Sequence, residues 1–394
     1  MLNDDEVNSL VDTLVNRQKA INEYILRKLA NRIKAIGELN PSDLTQLNTL
    51  YENGADIKDI NKRLAELSRL DVADIKDIIY NTAMNSYDVN KALYDYRNKT
   101  FIPFKENEQL QKIVKAVERQ TLGTYRNIAK AQAYMVRDAE GVLKPTRIAK
   151  MYQETIDKAI QAAKSGLSYH TVIRKTITDL VESGLRYVEY NPESGRLYTQ
   201  SVDAAVKRNI NDGIRAVNQG VQDITGEQFK ADGKEITVHM NPAPDHAPIQ
   251  GHQFTNEEFD KLQNGEPFKD ILGNRFEGID RAIGTLNCRH FTFSIIIGIS
   301  KPNYTPEQLD DINKKNEKGY TDSKGNHYTM YECTQMQRDY ERRIRKAREC
   351  YNTLKQAGDK EGMEKYKAQV INLTNKYKQF SKACGLKPKF NKTI

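Results

Sequence analysis

Apolar residues open the chain at three- and four-residue intervals, Val7, Leu10, Val11, Leu14, Ile21, Ile25, Leu29 and Ile33, with Gly37 after them. That spacing draws one apolar stripe along a helix and predicts a single long amphipathic helix that the glycine stops. Ser42 is suited to cap the next helix. The hexamer ADIKDI occurs at 55–60 and again at 73–78. Each copy opens a stretch of helical period with acidic residues in its first turn, so the recurrence predicts two helix starts. Two copies fall short of the roughly three units that a stacked repeat needs to close a core. From Leu110 to about Leu180 the period stays helical, with breaks expected at Gly141–Pro145 and at Gly166, and with Ser168 capping a helix that Gly184 ends.

After Gly184 the period shortens. LRYVEY (185–190) and RLYTQ (196–200) flank the turn-forming NPESG and predict a β-hairpin, followed by a helix over about 202–225. KEITVHM (234–240) alternates polar and apolar residues as a strand does, which would set Val238 and His239 on opposite faces. The loop NPAPDHAPIQGHQF comes next, then a capping-box pair, Thr255 and Glu258, for a helix through Leu262. The apolar run from Phe291 to Ile297 reads as a buried strand. Beyond KPNYTP (301–306) the pattern is helical again, with long helices expected over about 331–354 and 360–384. The fold class expected is α+β, predominantly α, with long helices flanking a small mixed α+β core. The regions expected are 1–108, helical; 109–232, helical with a short hairpin; 233–303, the α+β core; and 304–394, basic helices.

Composition adds a polarity to this picture. Residues 331–394 hold 16 Lys+Arg against 7 Asp+Glu, so a total charge of +8 over 394 residues leaves the rest of the chain close to neutral. The basic end suits a phosphate-bearing or acidic partner, and the candidate nucleic-acid contacts are Arg342, Arg343, Arg345, Lys376 and Lys378. Acidic residues are interleaved there, and Glu341 is placed to pair with Arg345 one helical turn away. Four cysteines without CxxC spacing, and no leader pattern before the first helix, favour a reducing compartment over a disulfide scaffold. The longest apolar run, Phe291–Ile299, is far below the roughly 20 residues that span a bilayer, so no membrane partner is expected.

The densest candidate chemistry lies at His239, Asp245, His246, Gln250 and His252, joined at a distance by Asn287, Cys288, Arg289 and His290. Pro242 and Pro244 stiffen the loop between. Three readings apply. His239, His246, Cys288 and His290 offer the nitrogen and sulfur donors that zinc takes, although their spacing matches neither a finger nor a ribbon. Alternatively His246, with Asp245 or His239, acts as general acid and base while Arg289 stabilises an anion. No nucleophile elbow, P-loop, HExxH or dinucleotide glycine pattern accompanies them. The preferred reading is polar packing without a cofactor, in which an arginine such as Arg289 bridges Asp245.

Three ordered blocks resemble the minor capsid protein 2 family of tailed bacteriophages, relatives of the Mu F-like head proteins. They are VHMNPAPDHAPIQGHQF (238–254), GTLNCRHFTFSIIIGIS (284–300) and YTMYECTQMQRDYERRIRKAR (328–348). The motif positions that carry the resemblance are His239, Asp245, His246, Gln250, Gly251, Asn287, Cys288, Arg289 and His290. Cys333 stands where the family usually has a small residue, and Pro244-Asp-His246 replaces an Arg-Pro-Ser-His type sequence. The resemblance implies a structural, non-enzymatic head protein near the portal that assists head assembly, DNA packaging or ejection. Its implied partners are the portal protein, the major capsid or scaffolding protein, and packaged DNA. It would reside in the virion, at the capsid interior or portal vertex, and in the host bacterial cytoplasm during assembly. The rival expectation is an ejected effector enzyme that acts on nucleic acid or a nucleotide through His239, Asp245, His246, Arg289 and His290.

Overall fold

From Val11 to Ile33 the apolar stripe of the first segment is the buried face of one helix, α1 (Asp4–Gly37), while Leu10 is exposed. Leu14, Ile25, Leu29 and Ile33 on that stripe are fully buried. The chain is described here from a computed structural model, which covers residues 4–38, 52–138, 140–165, 169–191, 193, 195–270, 273–284, 288 and 290–393. The caps expected at Ser42 and Ser168, the break at Gly166, and the motif residues Asn287 and Arg289 lie outside the described residues.

The fold is predominantly helical α+β, as the sequence pattern predicts. In order the elements are α1, α2 (Glu52–Asp88), α3 (Lys91–Tyr96), α4 (Glu108–Lys130), β1 (Gln132–Arg137), β2 (Leu143–Arg147), α5 (Ile148–Lys164) and α6 (Tyr169–Ser183). Then come β3 (Arg186–Asn191), β4 (Arg196–Ser201), α7 (Val202–Phe229), β5 (Gly233–Ile236), β6 (Gln253–Thr255), α8 (Asn256–Gln263), β7 (Phe268–Lys269) and β8 (Arg275–Phe276). The last are β9 (Thr292–Ile295), α9 (Pro306–Lys318), β10 (Tyr320–Thr321), β11 (His327–Tyr328), α10 (Met330–Gln356) and α11 (Lys360–Ala383). The chain forms two compact units with interleaved ranges: 1–11, 73–124 and 208–336 in the first, and 12–72, 125–207 and 337–394 in the second.

In the first unit α7 is the central helix. Gly226 lets it approach the small sheet so closely that a Cβ there would meet Ser294 Oγ at 2.7 Å. The Ser294 hydroxyl in turn donates to the Gln222 carbonyl at 2.7 Å and its N–H donates to Gln222 Oε1 at 3.0 Å, so sheet and helix are joined by polar as well as apolar contact. The sheet is β6-β5-β9, all antiparallel. Ile236, Ile249, Phe254, Phe259, Leu262, Phe276, Ile279 and Ile283 form its buried core. The capping box expected at Thr255 and Glu258 is formed in both directions. Aromatic rings of Tyr87, Tyr94, Phe101 and Phe229 stack and abut around the end of α2.

In the second unit a four-stranded antiparallel sheet, β2-β1-β3-β4, holds the expected hairpin at one edge. Its other half was not expected: QAYMVR is strand β1, not helix, and pairs with β2 across the turn at Gly141 (φ +80°). A helical period cannot distinguish so short an apolar stretch from a strand. Two further readings need correction. The second ADIKDI copy lies inside α2, which runs unbroken from Glu52 to Asp88. Within this unit the carboxylate of Asp71, on the same helix, accepts from Arg17 Nη1 at 3.0 Å, from Gln18 Nε2 at 2.9 Å and from the Tyr125 hydroxyl. The pair expected between Glu341 and Arg345 gives way to other partners: Glu341 accepts from the Tyr377 hydroxyl at 2.9 Å, and Arg345 donates to the Lys392 carbonyl at 2.8 Å.

Candidate functional site

The strand expected over 234–240 stops at Ile236. Beyond it the chain turns, with Asn241 at positive φ (56°), so His239 is placed by the loop instead of by sheet alternation. Two motif residues hold that loop. Gln250 Oε1 accepts the His239 N–H at 2.8 Å, and the Gly251 N–H donates to the Ile236 carbonyl at 2.8 Å. Gly251 has φ +74°, and a Cβ there would meet Leu309 at 2.4 Å and Val238 at 2.8 Å, so the position requires glycine on both counts.

Three side chains converge beside Gln250. Cys288 Sγ lies 3.6 Å from His246 Nδ1 and 3.4 Å from His290 Nδ1. Each ring is oriented from its far side: His246 Nε2 faces the Arg281 carbonyl at 2.8 Å, and His290 Nε2 faces Gln250 Oε1 at 3.4 Å. Both facing oxygens can only accept, so each Nε2 carries its proton and each Nδ1 turns a lone pair toward the sulfur. The His239 ring packs edge-on to His290, centroids 4.6 Å apart. His246 and His290 are both buried, and Cys288 is partly exposed.

The electrostatics follow from this burial. Burial, with the charges of His239 and His246, pushes His290 down to about 2, so it is neutral throughout the physiological range. Burial opposes charge on His246 too, but its contacts with Cys288 and the Arg281 carbonyl bring its pKa above the ordinary value. Burial disfavours the Cys288 thiolate, yet the His246 contact and backbone groups at Gly284 and His290 hold its pKa below that of a free thiol. Asp245 is held low, against its own burial, by the Arg281 guanidinium, whose Nε donates at 2.9 Å and whose Nη2 makes a second contact. The arrangement can hold a thiolate beside a cationic imidazole, or offer a sulfur and two nitrogens to a metal ion.

Of the sequence candidates, the structure therefore brings together His246, Cys288, His290, Gln250 and, at one remove, His239 and Asp245. His252 stands apart, packed against the Phe276 ring at 5.4 Å between centroids. The bidentate partner of Asp245 among the described residues is Arg281. Sequence reasoning also missed Arg215 on α7, whose Nη1 donates to the Cys288 carbonyl at 2.5 Å. Arg281 lies just ahead of the second motif block and Arg215 lies far from all three, and no linear spacing signals the role of either.

A second feature belongs to the other compact unit. There a cavity of about 1250 Å³ is lined by Lys19, Arg27, Arg63, Arg186, Arg342, Arg345, Lys346, Arg348 and Lys367, against the acids Glu23, Asp203 and Glu349. Of the five nucleic-acid candidates it takes Arg342 and Arg345. Arg342 and Arg343 both pair with Asp339, and Lys378 lies over the Phe390 ring at 5.6 Å from its centre. Lys376 is exposed. Glu349 is pushed up to about 7, first by burial and then by Glu23 beside it.

Among the described residues no helix is long and apolar enough to cross a membrane. No curated protein and no solved structure matches the chain significantly. A family model described as Phage minor capsid protein 2 matches residues 2–382, nearly the whole length. The chain thus belongs to the phage minor capsid protein 2 family and is a structural protein of a phage particle.

Proposed function

We propose that this protein sits at the portal vertex of the head, contacts the portal and the major capsid or scaffolding protein, and touches the genome during packaging or ejection. The observation that carries the DNA contact is the basic cavity. Arginines from α1, α2, β3 and α10 line one space and outnumber the acids Glu23, Asp203 and Glu349 on its wall, although Arg63 pairs with Glu66 and Arg342 with Asp339. Guanidinium groups grouped this way attract phosphate oxygens, and closely spaced like charges are held together at lower cost when a polyanion is present. The His246–Cys288–His290 cluster takes no part in this reading, which treats the chain as a structural protein.

The test is quantitative mass spectrometry of density-purified particles, comparing DNA-filled heads with heads after triggered ejection, combined with crosslinking in filled heads. The expected result is a few copies per particle, crosslinked to the portal protein and, through the cavity arginines, to DNA. Crosslinks distributed over the capsid shell with none to portal or DNA would overturn the placement.

A further inference from the structure

We propose that His246 Nδ1, Cys288 Sγ and His290 Nδ1 form a three-ligand centre for a zinc-type divalent cation. The three donor atoms all lie within 4.8 Å of one another. A tetrahedral zinc about 2.3 Å from sulfur and 2.0–2.1 Å from nitrogen sets sulfur and nitrogen roughly 3.6 Å apart. The observed separations, 3.6 and 3.4 Å, are those of two edges of such a tetrahedron.

Orientation supports the same conclusion independently of distance. A single thiol proton can serve one imidazole lone pair at a time, yet two are aimed at this sulfur. Each ring is locked by a far-side acceptor, the Arg281 carbonyl or Gln250 Oε1. That is the outer-shell arrangement that fixes the tautomer of a metal-bound histidine. Histidine nitrogen with thiolate sulfur favours zinc over the hard cations that prefer oxygen. On binding, the Cys288 proton is released to solvent and the thiolate, two neutral imidazoles and the cation make up the centre. The inference does not depend on the portal placement or on the basic cavity.

The test uses the full chain purified without a polyhistidine tag. Elemental analysis is expected to find about one zinc per chain, and cobalt(II) added after chelation should give a thiolate charge-transfer band with the visible bands of a tetrahedral ion. Cys288→Ser should abolish the charge-transfer band with an unchanged far-ultraviolet spectrum. His290→Ala should weaken metal binding by at least the roughly 10–100-fold that loss of an outer-shell partner costs. Because a ligand variant can fail to fold, the native chain is also alkylated and mapped. Cys288 is the partly exposed cysteine, while Cys333, Cys350 and Cys384 are buried. Zinc should slow labelling at Cys288 and a chelator should restore it. A chain that purifies without metal, gives no cobalt charge-transfer band and is labelled at Cys288 at the same rate with and without zinc would overturn the centre and leave a bare thiol–imidazole pair.

Discussion

At the scale of single residues, Gly251 shows how a motif position acquires a physical meaning. The Gln-Gly pair is visible in the sequence, but its reason is three-dimensional: Gln250 spans His239 and His290, and Gly251 leaves room for Leu309 and Val238 while adopting a left-handed backbone. A paired substitution separates the two demands on glycine. Gly298 has φ +77° and nothing within 4 Å of its would-be Cβ, so Gly298→Ala should cost only the conformational term, about 1 kcal/mol. Gly251→Ala adds the clash with Leu309 and should cost about 2–4 kcal/mol. Urea unfolding of the two variants checks this, and equal midpoints would mean that Leu309 yields freely. Gln250→Leu keeps the bulk but removes the oxygen shared by His239 and His290, and it should loosen cobalt binding by roughly 10–100-fold if that oxygen orients His290.

At the scale of elements, what could be read from sequence was what local physics determines. The α1 stripe, the 186–201 hairpin, the Thr255 capping box and the two final helices each depend on residues a few positions apart, and each is present. What was not legible depends on partners far along the chain. β1 is a strand because β2 and β3 pair with it on either side. The second ADIKDI copy starts no helix because α2 continues through it, and a buried acid just before it, Asp71, is satisfied by Arg17 and Gln18 on α1 and by Tyr125 on α4. The same limit hid Arg281, which reaches Asp245 across 36 positions of sequence. Asp71 is fully buried, and Asp71→Ala would remove an acceptor that Arg17, Gln18 and Tyr125 share. We expect a loss of about 2–4 kcal/mol, read as a lowered unfolding midpoint, with α2 still helical by circular dichroism. A smaller loss than the roughly 1 kcal/mol of one ordinary hydrogen bond would show that the network adds little to joining α1, α2 and α4.

At the scale of the whole molecule, charge is organised differently from its order in the sequence. The basic end of the chain supplies only part of the cavity; Arg27, Arg63 and Arg186 come from regions whose sequence is close to neutral overall. Glu349 makes that cavity sensitive to pH. Its carboxyl is raised from the ordinary 4.5 to about 7, with Glu23 adding to burial, while the Asn22 hydrogen bond and the cations Lys346 and Arg345 oppose the shift. A carboxyl raised on folding contributes stability below its unfolded value and loses it as pH climbs through the folded one, so stability should decline between about pH 4.5 and 7. Around pH 7 the cavity also gains a negative charge. Burial lowers the Lys346 pKa, which reduces positive charge in the same direction as pH rises further. Short duplex DNA should therefore bind the full chain more weakly at pH 8 than at pH 6, by a fewfold at constant salt, and binding at either pH should fall steeply between about 50 and 200 mM salt. Glu349→Gln holds the neutral form at every pH. If the cavity is the DNA contact, that variant keeps the salt dependence and loses the part of the pH dependence centred near pH 7; if its pH profile matches that of the native chain, the cavity is not a DNA contact.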